Sequence, residues 1–297
     1  MKAFVTGVTG YIGGSLAHAL VAAGYEVHGL VRNEAYRSKL GRLGIIPVLG
    51  SLYDTTIVQQ HAKAADLIIN AADADNAYVV DDLLAVLKGT GKTLLQVSGA
   101  SVIGDRAGGA FSDQRWTEAN QPRPRLEKVG RVAIDQALQA ASHDKVRTLV
   151  VCPTMVYGEG LGMRKQSIQI PLLEGLARKH GVGIYAGSGR NRTAFVHIDD
   201  LVSLCLLMID KAPAGTFLFA ENGEVVMKDL AQALAHRHGF HAPAQSRDMP
   251  YLLSRCCYED PQEAEYGLGS NIRVCADQAR KLGWKPRHHD VLDWIRR

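Results

Sequence analysis

Gly7, Gly10 and Gly13 are the residues with the clearest chemical meaning in this 297-residue sequence. They follow an apolar segment at residues 2–6 and precede apolar residues at helical spacing, so they lie at a turn between a strand and a helix. Such a turn brings backbone N–H groups close to a phosphate, and the helix N-terminus adds partial positive charge. This GxxGxxG run therefore predicts a pyrophosphate site for a dinucleotide.

Arg32 follows the second apolar segment, EVHGLV at residues 26–31. Dinucleotide sites that bind the ribose 2′-hydroxyl usually have an acidic residue at this place, whereas a guanidinium suits a 2′-phosphate. The residue favours NADP(H) over NAD(H) as the cofactor. The alternative is a solvated arginine at the end of a strand.

The elements that must position these residues are short apolar segments that alternate with helical patterns. The predicted strands are residues 2–6, 26–31, 45–49, 66–70, 93–98 and 147–152. Helical patterns lie between them, for example at 77–88 and 126–141, and a polar loop rich in glycine and proline spans 105–124. Alternation of this kind is typical of βαβ units with right-handed crossovers. The sequence therefore predicts an α/β fold with a doubly wound parallel sheet.

Composition excludes several classes of function. The chain is 46% hydrophobic with a net charge of +4, and it has no basic block, so nucleic acid is not expected as a partner. No apolar run approaches the ~20 residues that span a bilayer, and the N-terminus lacks the pattern of a signal peptide. The five cysteines have neither CxxC spacing nor a histidine cluster, which favours a cytoplasmic protein without a metal: Cys152, Cys205, Cys256, Cys257 and Cys275.

Several motifs resemble the extended short-chain dehydrogenase/reductase superfamily, of the NAD(P)-dependent epimerase/dehydratase type. They keep the order of that family along nearly the whole chain: VTGVTGYIGG (5–14), GSLYDTT (50–56), NAAD (70–73), VSGASVIG (97–104), CPTMVYGEG (152–160), FVHIDDLV (195–202) and the tail at 270–286.

The resemblance implies a Rossmann sheet and a smaller C-terminal substrate lobe. The cofactor domain would comprise 1–155 and about 190–220, and the substrate lobe about 156–189 and 221–297. A homodimer through helices 77–88 and 126–141 is also implied. The implied cofactor contacts are Thr6, Gly7, Thr9, Gly10, Tyr11, Ile12, Gly13, Arg32, Leu52, Asn70, Ala71, Ala72, Arg131 and Pro153.

The catalytic set of the family is not intact in this sequence. No Tyr-x-x-x-Lys occurs anywhere in the chain. The family has an acidic residue eight positions after the tyrosine, and that residue resembles Asp135 here. Counting back puts Glu127 at the tyrosine position and Arg131 at the lysine position, while Gly99 occupies the usual serine position.

The proton donor must therefore be sought among other residues. Tyr157 follows the sixth predicted strand, where open α/β sheets place their sites. Glu127 could act if burial raised its pKa towards neutrality. Ser98 and Ser101 could hold a carbonyl oxygen or a water molecule, while Arg131 cannot deprotonate and would hold ribose or phosphate. Packing, solvent exposure or local capping would explain the tyrosine, glutamate and serines equally well.

These observations predict an NADP(H)-dependent oxidoreductase that acts on a small carbonyl or alcohol substrate. The alternative is a non-catalytic NADP(H)-binding sensor or scaffold, which would also retain the glycine turn without the Tyr/Lys pair. A sugar epimerase or dehydratase is disfavoured, because Thr193 stands where nucleotide-sugar enzymes of the family carry an arginine. The neighbouring Arg192 would point to the other face of a strand.

Overall fold

The first six strands of the protein follow the six predicted apolar segments closely, and six further strands in the described part of the chain were not predicted. A computed structural model describes residues 1–255 and 264–297, so Cys256 and Cys257 lie outside the described residues. The strands are β1 (Lys2–Thr6), β2 (Glu26–Val31), β3 (Ile45–Leu49), β4 (Leu67–Asn70), β5 (Thr93–Val97), β6 (Arg147–Pro153), β7 (Met155–Tyr157), β8 (Ile184–Ala186), β9 (Arg192–His197), β10 (Thr216–Ala220), β11 (Glu224–Val226) and β12 (Gln245–Arg247).

Helices alternate with the strands in the first half of the chain. They are α1 (Tyr11–Ala22), α2 (Arg37–Arg42), α3 (Thr55–Ala64), α4 (Ala77–Leu87), α5 (Val129–Ala140), α6 (Gln169–His180), α7 (Ile198–Lys211), α8 (Met227–Arg237), α9 (Met249–Arg255), α10 (Asp277–Leu282) and α11 (Val291–Arg296). Within the described ranges, none of these helices is long and apolar enough to cross a membrane.

The helix predicted at 126–141 divides into three parts. A 3-10 turn at Leu126–Lys128 precedes α5, and a second 3-10 turn at Ala141–Asp144 follows it. Tighter turns at the ends of an α-helix are common, because the terminal backbone groups have no partner one full turn away. The first turn decides where the side chain of Lys128 lies.

The central sheet is parallel throughout and has the order β3-β2-β1-β4-β5-β6-β10 in the described chain. β2 and β3 follow β1 on one side of it, whereas β4, β5, β6 and β10 follow one another on the other side. The direction in which successive strands are added therefore reverses between β1 and β4. Ligands of doubly wound sheets bind outside the carboxyl ends of the strands at this reversal. The glycine turn follows β1 and therefore lies at that point.

Apolar side chains cover both faces of the central sheet. β1 and β4 are almost continuously buried, which is the pattern of a parallel strand between two layers of helices. One core cluster contains Leu16 and Leu20 of α1, and the cluster on the opposite face contains Leu83 of α4 and Leu138 of α5. The prediction of a doubly wound Rossmann fold is confirmed.

A third cluster of apolar residues lies among the later elements. Leu173 of α6, Leu230 of α8 and Phe195 of β9 belong to it. In the described residues, β7, β9 and β11 form a small sheet beside the main one, and β8 pairs with β12. The residue boundaries of the two lobes stay a prediction.

Candidate functional site

A cleft of about 410 Å³ opens at the carboxyl ends of β1, β4, β5 and β6. Its walls come from the glycine turn, the 3-10 turn before α5, the segment after β6, and a later segment near residue 266. The lining residues are Gly10, Tyr11, Ile12, Ala71, Ala72, Ser98, Gly99, Ala100, Ser101, Lys128, Arg131, Pro153, Thr154, Met155, Val156, Arg164, Ser167, Ile168, Gln169, Tyr266, Gly267 and Ile272.

The glycine turn has the shape that a diphosphate requires. Gly7 has φ +71°, and a β-carbon there would lie 2.5 Å from the carbonyl oxygen of Ala71. A β-carbon on Gly13 would lie 2.4 Å from the carbonyl oxygen of Gly7. Gly10 precedes α1, and no side chain of the described residues caps that helix. The open helix N-terminus and the absent side chains fit the pyrophosphate of a dinucleotide.

Thr6 and Asn70 connect the strands beneath the glycine turn. The Thr6 hydroxyl donates to Asn70 Oδ1 at 2.5 Å and accepts the backbone N–H of Ala71 at 3.2 Å. The Asn70 amide donates to Gln96 Oε1 at 2.8 Å. These bonds join the ends of β1, β4 and β5. Thr6 and Asn70 therefore support the glycine turn, and neither of them lines the cleft.

Tyr11 ties the start of α1 to the segment after β7. Its hydroxyl donates to the carbonyl oxygen of Gly158 at 2.9 Å, and burial raises its pKa well above the usual value. Its neighbour Ile12 is half-buried and also lines the cleft. Tyr11 therefore serves as part of the wall and as a link between two segments.

Ser98 lies on the floor of the cleft above a buried acid. Its hydroxyl donates to Asp135 Oδ2 at 2.6 Å, and both side chains are buried. Burial raises the pKa of Asp135 to about 6, against the opposing effects of the Ser98 hydroxyl and the Arg131 charge. A carboxyl group with that pKa changes protonation close to neutral pH.

Arg131 lies in the wall of the cleft and is held in place by Asp75. Nε donates to Asp75 Oδ1 at 2.8 Å, Nη2 donates to Oδ2, and Nη1 donates to Ser101 Oγ at 2.9 Å. A β-carbon on Gly99 would lie 3.1 Å from Nη1, so the missing side chain makes room for the guanidinium. Burial opposes the charge of Arg131, but Asp75 outweighs it and raises the pKa.

Lys128 brings a second cation into the cleft. The side chain is buried, and Nζ lies 4.9 Å from the centroid of the Tyr266 ring. A cation over an aromatic face is stabilised by the quadrupole of the ring. Lys128 and Arg131 therefore place two positive charges on one wall.

Glu127 does not have the environment that a general acid needs. The Tyr266 hydroxyl donates to Glu127 Oε1 at 2.7 Å, and Arg106 donates to the same oxygen at 2.9 Å. The hydrogen bond from Tyr266, with those from the backbone and Arg106, lowers the pKa of Glu127 to about 2. The condition under which Glu127 could act, a pKa raised by burial, is not met, because a carboxylate that accepts such bonds is stabilised in its ionised form. Glu127 also lies outside the cleft lining.

Tyr157 is part of the core and not of the cleft. Only 1% of it is exposed, and its ring packs edge-on against Phe195, His197 and Trp294. Its hydroxyl donates to the carbonyl oxygen of His288 at 3.4 Å, and burial raises its pKa well above the usual value. This corrects the expectation that Tyr157 donates a proton: β7 turns the side chain into the apolar cluster of the later elements.

The expected cofactor contacts divide into two groups. Gly10, Tyr11, Ile12, Ala71, Ala72, Arg131 and Pro153 line the cleft. The other expected contacts do not line the cleft. They lie in the glycine turn and first turn of α1, at the ends of β1 and β4, or after β2 and β3: Thr6, Gly7, Thr9, Gly13, Arg32, Leu52 and Asn70. Arg32 is exposed and immediately follows β2. In Rossmann folds, the residue at this place contacts the 2′-hydroxyl or 2′-phosphate of the cofactor.

The nucleotide-sugar position of the family also lies outside the cleft. Thr193 is fully buried, and Arg192 donates to Glu224 Oε1 at 3.0 Å. The guanidinium of Arg192 also lies 5.4 Å from the centroid of the Phe111 ring. Arg192 is therefore engaged within the protein and not at the cleft lining.

Three potential metal ligands lie together outside the cleft. Ligand atoms of His197, Asp199 and His288 lie within 4.8 Å of one another. The two imidazole rings stack at 3.8 Å with an interplanar angle of 19°, and His197 Nδ1 accepts the backbone N–H of Asp199. Stacked rings direct their in-plane lone pairs along separate planes, so packing explains this arrangement without an ion.

The sequence contained a signal for Lys128 that motif reading missed. Lys128, Arg131 and Asp135 are spaced at i, i+3 and i+7, which places them on one side of a helical segment. Tyr266 has no such signal, because it is 139 residues from its partner Glu127. The same holds for Asp75, which is 56 residues from Arg131.

Comparisons with known proteins agree with this geometry. The pattern of the NAD dependent epimerase/dehydratase family matches residues 3–218. Oxidase ucsJ from Acremonium sp is 28% identical over 325 residues, which cover 96% of this chain and 92% of that protein. The 4-hydroxy-2-methyl-3-oxo-4-farnesyl-3,4-dihydroquinoline-1-oxide ketoreductase of Stigmatella aurantiaca is 25% identical over 328 residues, which cover 100% and 96%.

Solved structures show the same fold. The dTDP-glucose 4,6-dehydratase of Bacillus anthracis in complex with NAD superimposes with a TM-score of 0.76 at 18% identity, covering 100% of this chain and 96% of that one.

Proposed function

Because the chain belongs to the NAD dependent epimerase/dehydratase family, we propose that it is an NADP(H)-dependent oxidoreductase acting on a small carbonyl or alcohol substrate. The family and its relatives make it an NAD(P)-dependent enzyme of the short-chain dehydrogenase/reductase type. The substrate class and the preference for NADP(H) are the parts that we add.

One observation carries the proposal: a single cleft joins the dinucleotide turn to serine hydroxyls and two cations. Gly10 lies in its wall together with Ser98, Arg131 and Lys128. A nicotinamide supplies or accepts the hydride when it is bound, and the protein contributes position and polarity. A cleft with hydroxyl donors and positive charges suits an oxygen that becomes negative during reduction.

Each of these groups has a distinct part in the proposal. Ser98 and Ser101 hold the substrate oxygen, because hydroxyls can both donate and accept hydrogen bonds. Lys128 and Arg131 stabilise negative charge on that oxygen or on the cofactor. Arg131 does not move a proton, since a guanidinium stays protonated.

The name of the Stigmatella aurantiaca relative supports reduction of a ketone in particular. The exposed Arg32 after β2 supports NADP(H). The bonds between Arg192 and Glu224 support neither epimerisation nor dehydration of a nucleotide sugar, because the arginine is engaged elsewhere.

The test is cofactor binding followed by turnover. Purified protein is titrated with NADPH and NADH by fluorescence, and oxidation of NADPH is then followed with a panel of small ketones and aldehydes. We expect tighter binding of NADPH and turnover with at least one carbonyl compound. If the protein binds NADPH but converts no carbonyl compound of the panel, and no alcohol in the presence of NADP⁺, the result would favour the non-catalytic NADP(H)-binding sensor.

The control is G10V. Gly10 has φ −80° and ψ 176°, a conformation that any residue adopts, and an added β-carbon would lie 3.0 Å from the carbonyl oxygen of Gly7. Valine can therefore adopt this φ and ψ and fills the space above the helix N-terminus, while the glycine turn at Gly7 must shift by a few tenths of an ångström to admit its β-carbon. We expect G10V to fold and to bind neither nucleotide at the concentrations that saturate the wild type.

We also propose a homodimer through α4 and α5. Tyr78 of α4 is 79% exposed, Leu126 in the 3-10 turn before α5 is 89% exposed, and Val129 at the start of α5 is 45% exposed. α4 and α5 are neighbours in the fold, and exposed large apolar side chains on neighbouring helical elements are typical of an interface. Sedimentation of the wild type and of an L126E variant tests this, and a monomeric wild type would contradict it.

A further inference from the structure

A buried carboxyl group lies directly beneath the cleft. Asp135 is 4% exposed, and its Oδ2 accepts the Ser98 hydroxyl at 2.6 Å. Among the described residues, Oδ1 has no hydrogen-bond partner. A buried carboxylate oxygen without a partner is costly, and binding a proton reduces that cost.

The charged groups around Asp135 do not neutralise it. Arg131 lies one turn earlier on α5, but its guanidinium bonds Asp75 and Ser101. Asp75 also raises the pKa of Asp135. From β6, Cys152 presents a fully buried thiol whose pKa lies well above the usual value, so that group is neutral. The charge of Glu118 adds to the rise in the pKa of the Cys152 thiol.

We propose that Asp135 is the proton reservoir of the reaction and that it exchanges a proton with the substrate oxygen through the Ser98 hydroxyl. This rests on the proposed function, because it concerns the same cleft. Ser98 is the one member of the pair that lines the cleft, so it alone meets the substrate. Ser98 is then a catalytic residue, and Asp135 acts through it.

The step balances without any further reactant. In reduction, the carbonyl carbon gains a hydride and its π bond to oxygen breaks. The oxygen takes the proton of the Ser98 hydroxyl while Ser98 takes the proton of Asp135, and a carboxylate remains. Oxidation of an alcohol runs in reverse: ionised Asp135 receives the proton through Ser98, and the hydride leaves with the cofactor.

The two directions must therefore depend on pH in opposite ways. Reduction needs protonated Asp135, so its rate falls as pH rises through the pKa, which burial places at about 6. Oxidation needs the ionised form, so its rate rises over the same interval. An acid whose pKa lies near the working pH serves both directions well.

The first experiment measures kcat/KM in both directions on either side of pH 6. For D135N and S98A we expect a loss of ~10²–10⁴-fold and no pH-dependent limb near 6. If D135N does not fold, S98A interrupts the same path and decides alone. The control is E118Q, because Glu118 is a second acid with a raised pKa whose carboxylate accepts the backbone N–H of Phe219 outside the cleft. E118Q should retain the kcat/KM of the wild type and its pH dependence near pH 6.

The second experiment needs neither substrate nor turnover. Infrared difference spectra recorded during a pH titration should show a protonated carboxyl band that disappears near pH 6 and is missing from D135N. An active wild type whose pH limb survives in both D135N and S98A would overturn the relay, as would absence of the band. A wild type that shows the band but reduces no carbonyl compound would overturn the relay and the proposed function together. If the wild type shows neither turnover nor the band, the missing turnover refutes the proposed function and the missing band independently refutes the relay.

Discussion

Gly99 and Arg131 both differ from the family pattern that the chain resembles, and they lie next to each other. A guanidinium is larger than an ammonium group, and its Nη1 occupies the space beside the α-carbon of residue 99. A serine at that position would place its β-carbon 3.1 Å from Nη1. At the scale of single residues, the cleft therefore has a cation at Arg131 and hydroxyl groups at Ser98 and Ser101.

Arg32 carries the cofactor prediction at this scale. In R32Q the charge that we propose to face a 2′-phosphate is lost, so we expect the Kd for NADPH to rise ~10–100-fold, which corresponds to one charge-assisted hydrogen bond. The Kd for NADH should change little. Fluorescence titrations with both nucleotides measure the ratio, and R42Q serves as the control because Arg42 is an exposed arginine of α2. Equal losses for both nucleotides would argue against a 2′-phosphate contact.

The element that matters most for the chemistry is the 3-10 turn together with α5. The turn at Leu126–Lys128 brings Lys128 to the cleft, and α5 then presents Arg131 and Asp135 at successive turns. One helical segment thus supplies both charges of the wall and the acid beneath the floor. Its position depends on β6 and on the 3-10 turn at Ala100–Ile103 after β5, against which α5 packs.

Substitution of Lys128 tests the role of this element. K128M keeps much of the apolar length of the side chain and removes the charge. If the ammonium stabilises the developing oxyanion, kcat/KM for carbonyl reduction should fall ~10²-fold while the Kd for NADPH stays within about threefold. The matched control is K165M, because Lys165 is a mostly exposed cation that pairs with Glu159. A parallel loss of NADPH binding would instead assign Lys128 to the cofactor.

At the scale of the whole molecule, Glu224 joins distant parts of the chain. Its carboxylate accepts Arg273 at 2.9 and 3.0 Å, Arg192 at 3.0 Å and Arg115 at 3.1 Å. Burial alone would raise the pKa of Glu224, but the hydrogen bonds from Arg273 and Arg192 outweigh it and hold the pKa at about 2. Glu224 thereby links β9 and β11 to the long loop and to the C-terminal segment.

This network predicts a pH-dependent contribution to stability. Because the folded-state pKa of Glu224 is lowered from its usual 4.5, the stabilisation is complete above that value and is lost as pH falls towards 2. We expect E224Q to lower the free energy of unfolding by about 2 kcal/mol at neutral pH, after discounting for partial exposure, and by much less near pH 2. Urea unfolding at both pH values measures the difference. E159Q is the control, because Glu159 has an exposed side chain, and a pH-independent effect of E224Q would refute the electrostatic explanation.

The sequence by itself determined the features that depend on local physics. Apolar runs predicted six of the seven strands that the structure describes in the main sheet, all but β10, since strands buried on both faces need apolar residues at successive positions. The glycine turn was equally predictable, because Gly7 adopts φ +71° and no other residue fits against Ala71. The place of the cleft at the carboxyl ends then followed from topology alone.

Only the tertiary structure decided which polar side chains line the cleft and what their pKa values are. Tyr157 follows the right strand, yet packing of the later elements turns it into their core. Glu127 is ionised because Tyr266 and Arg106 reach it from positions far along the chain or outside its helix. A pKa depends on burial and on neighbours in space, and neither is encoded in a short motif. Local sequence therefore determines the strands and the glycine turn of the site, while contacts between distant segments set the protonation states of its side chains.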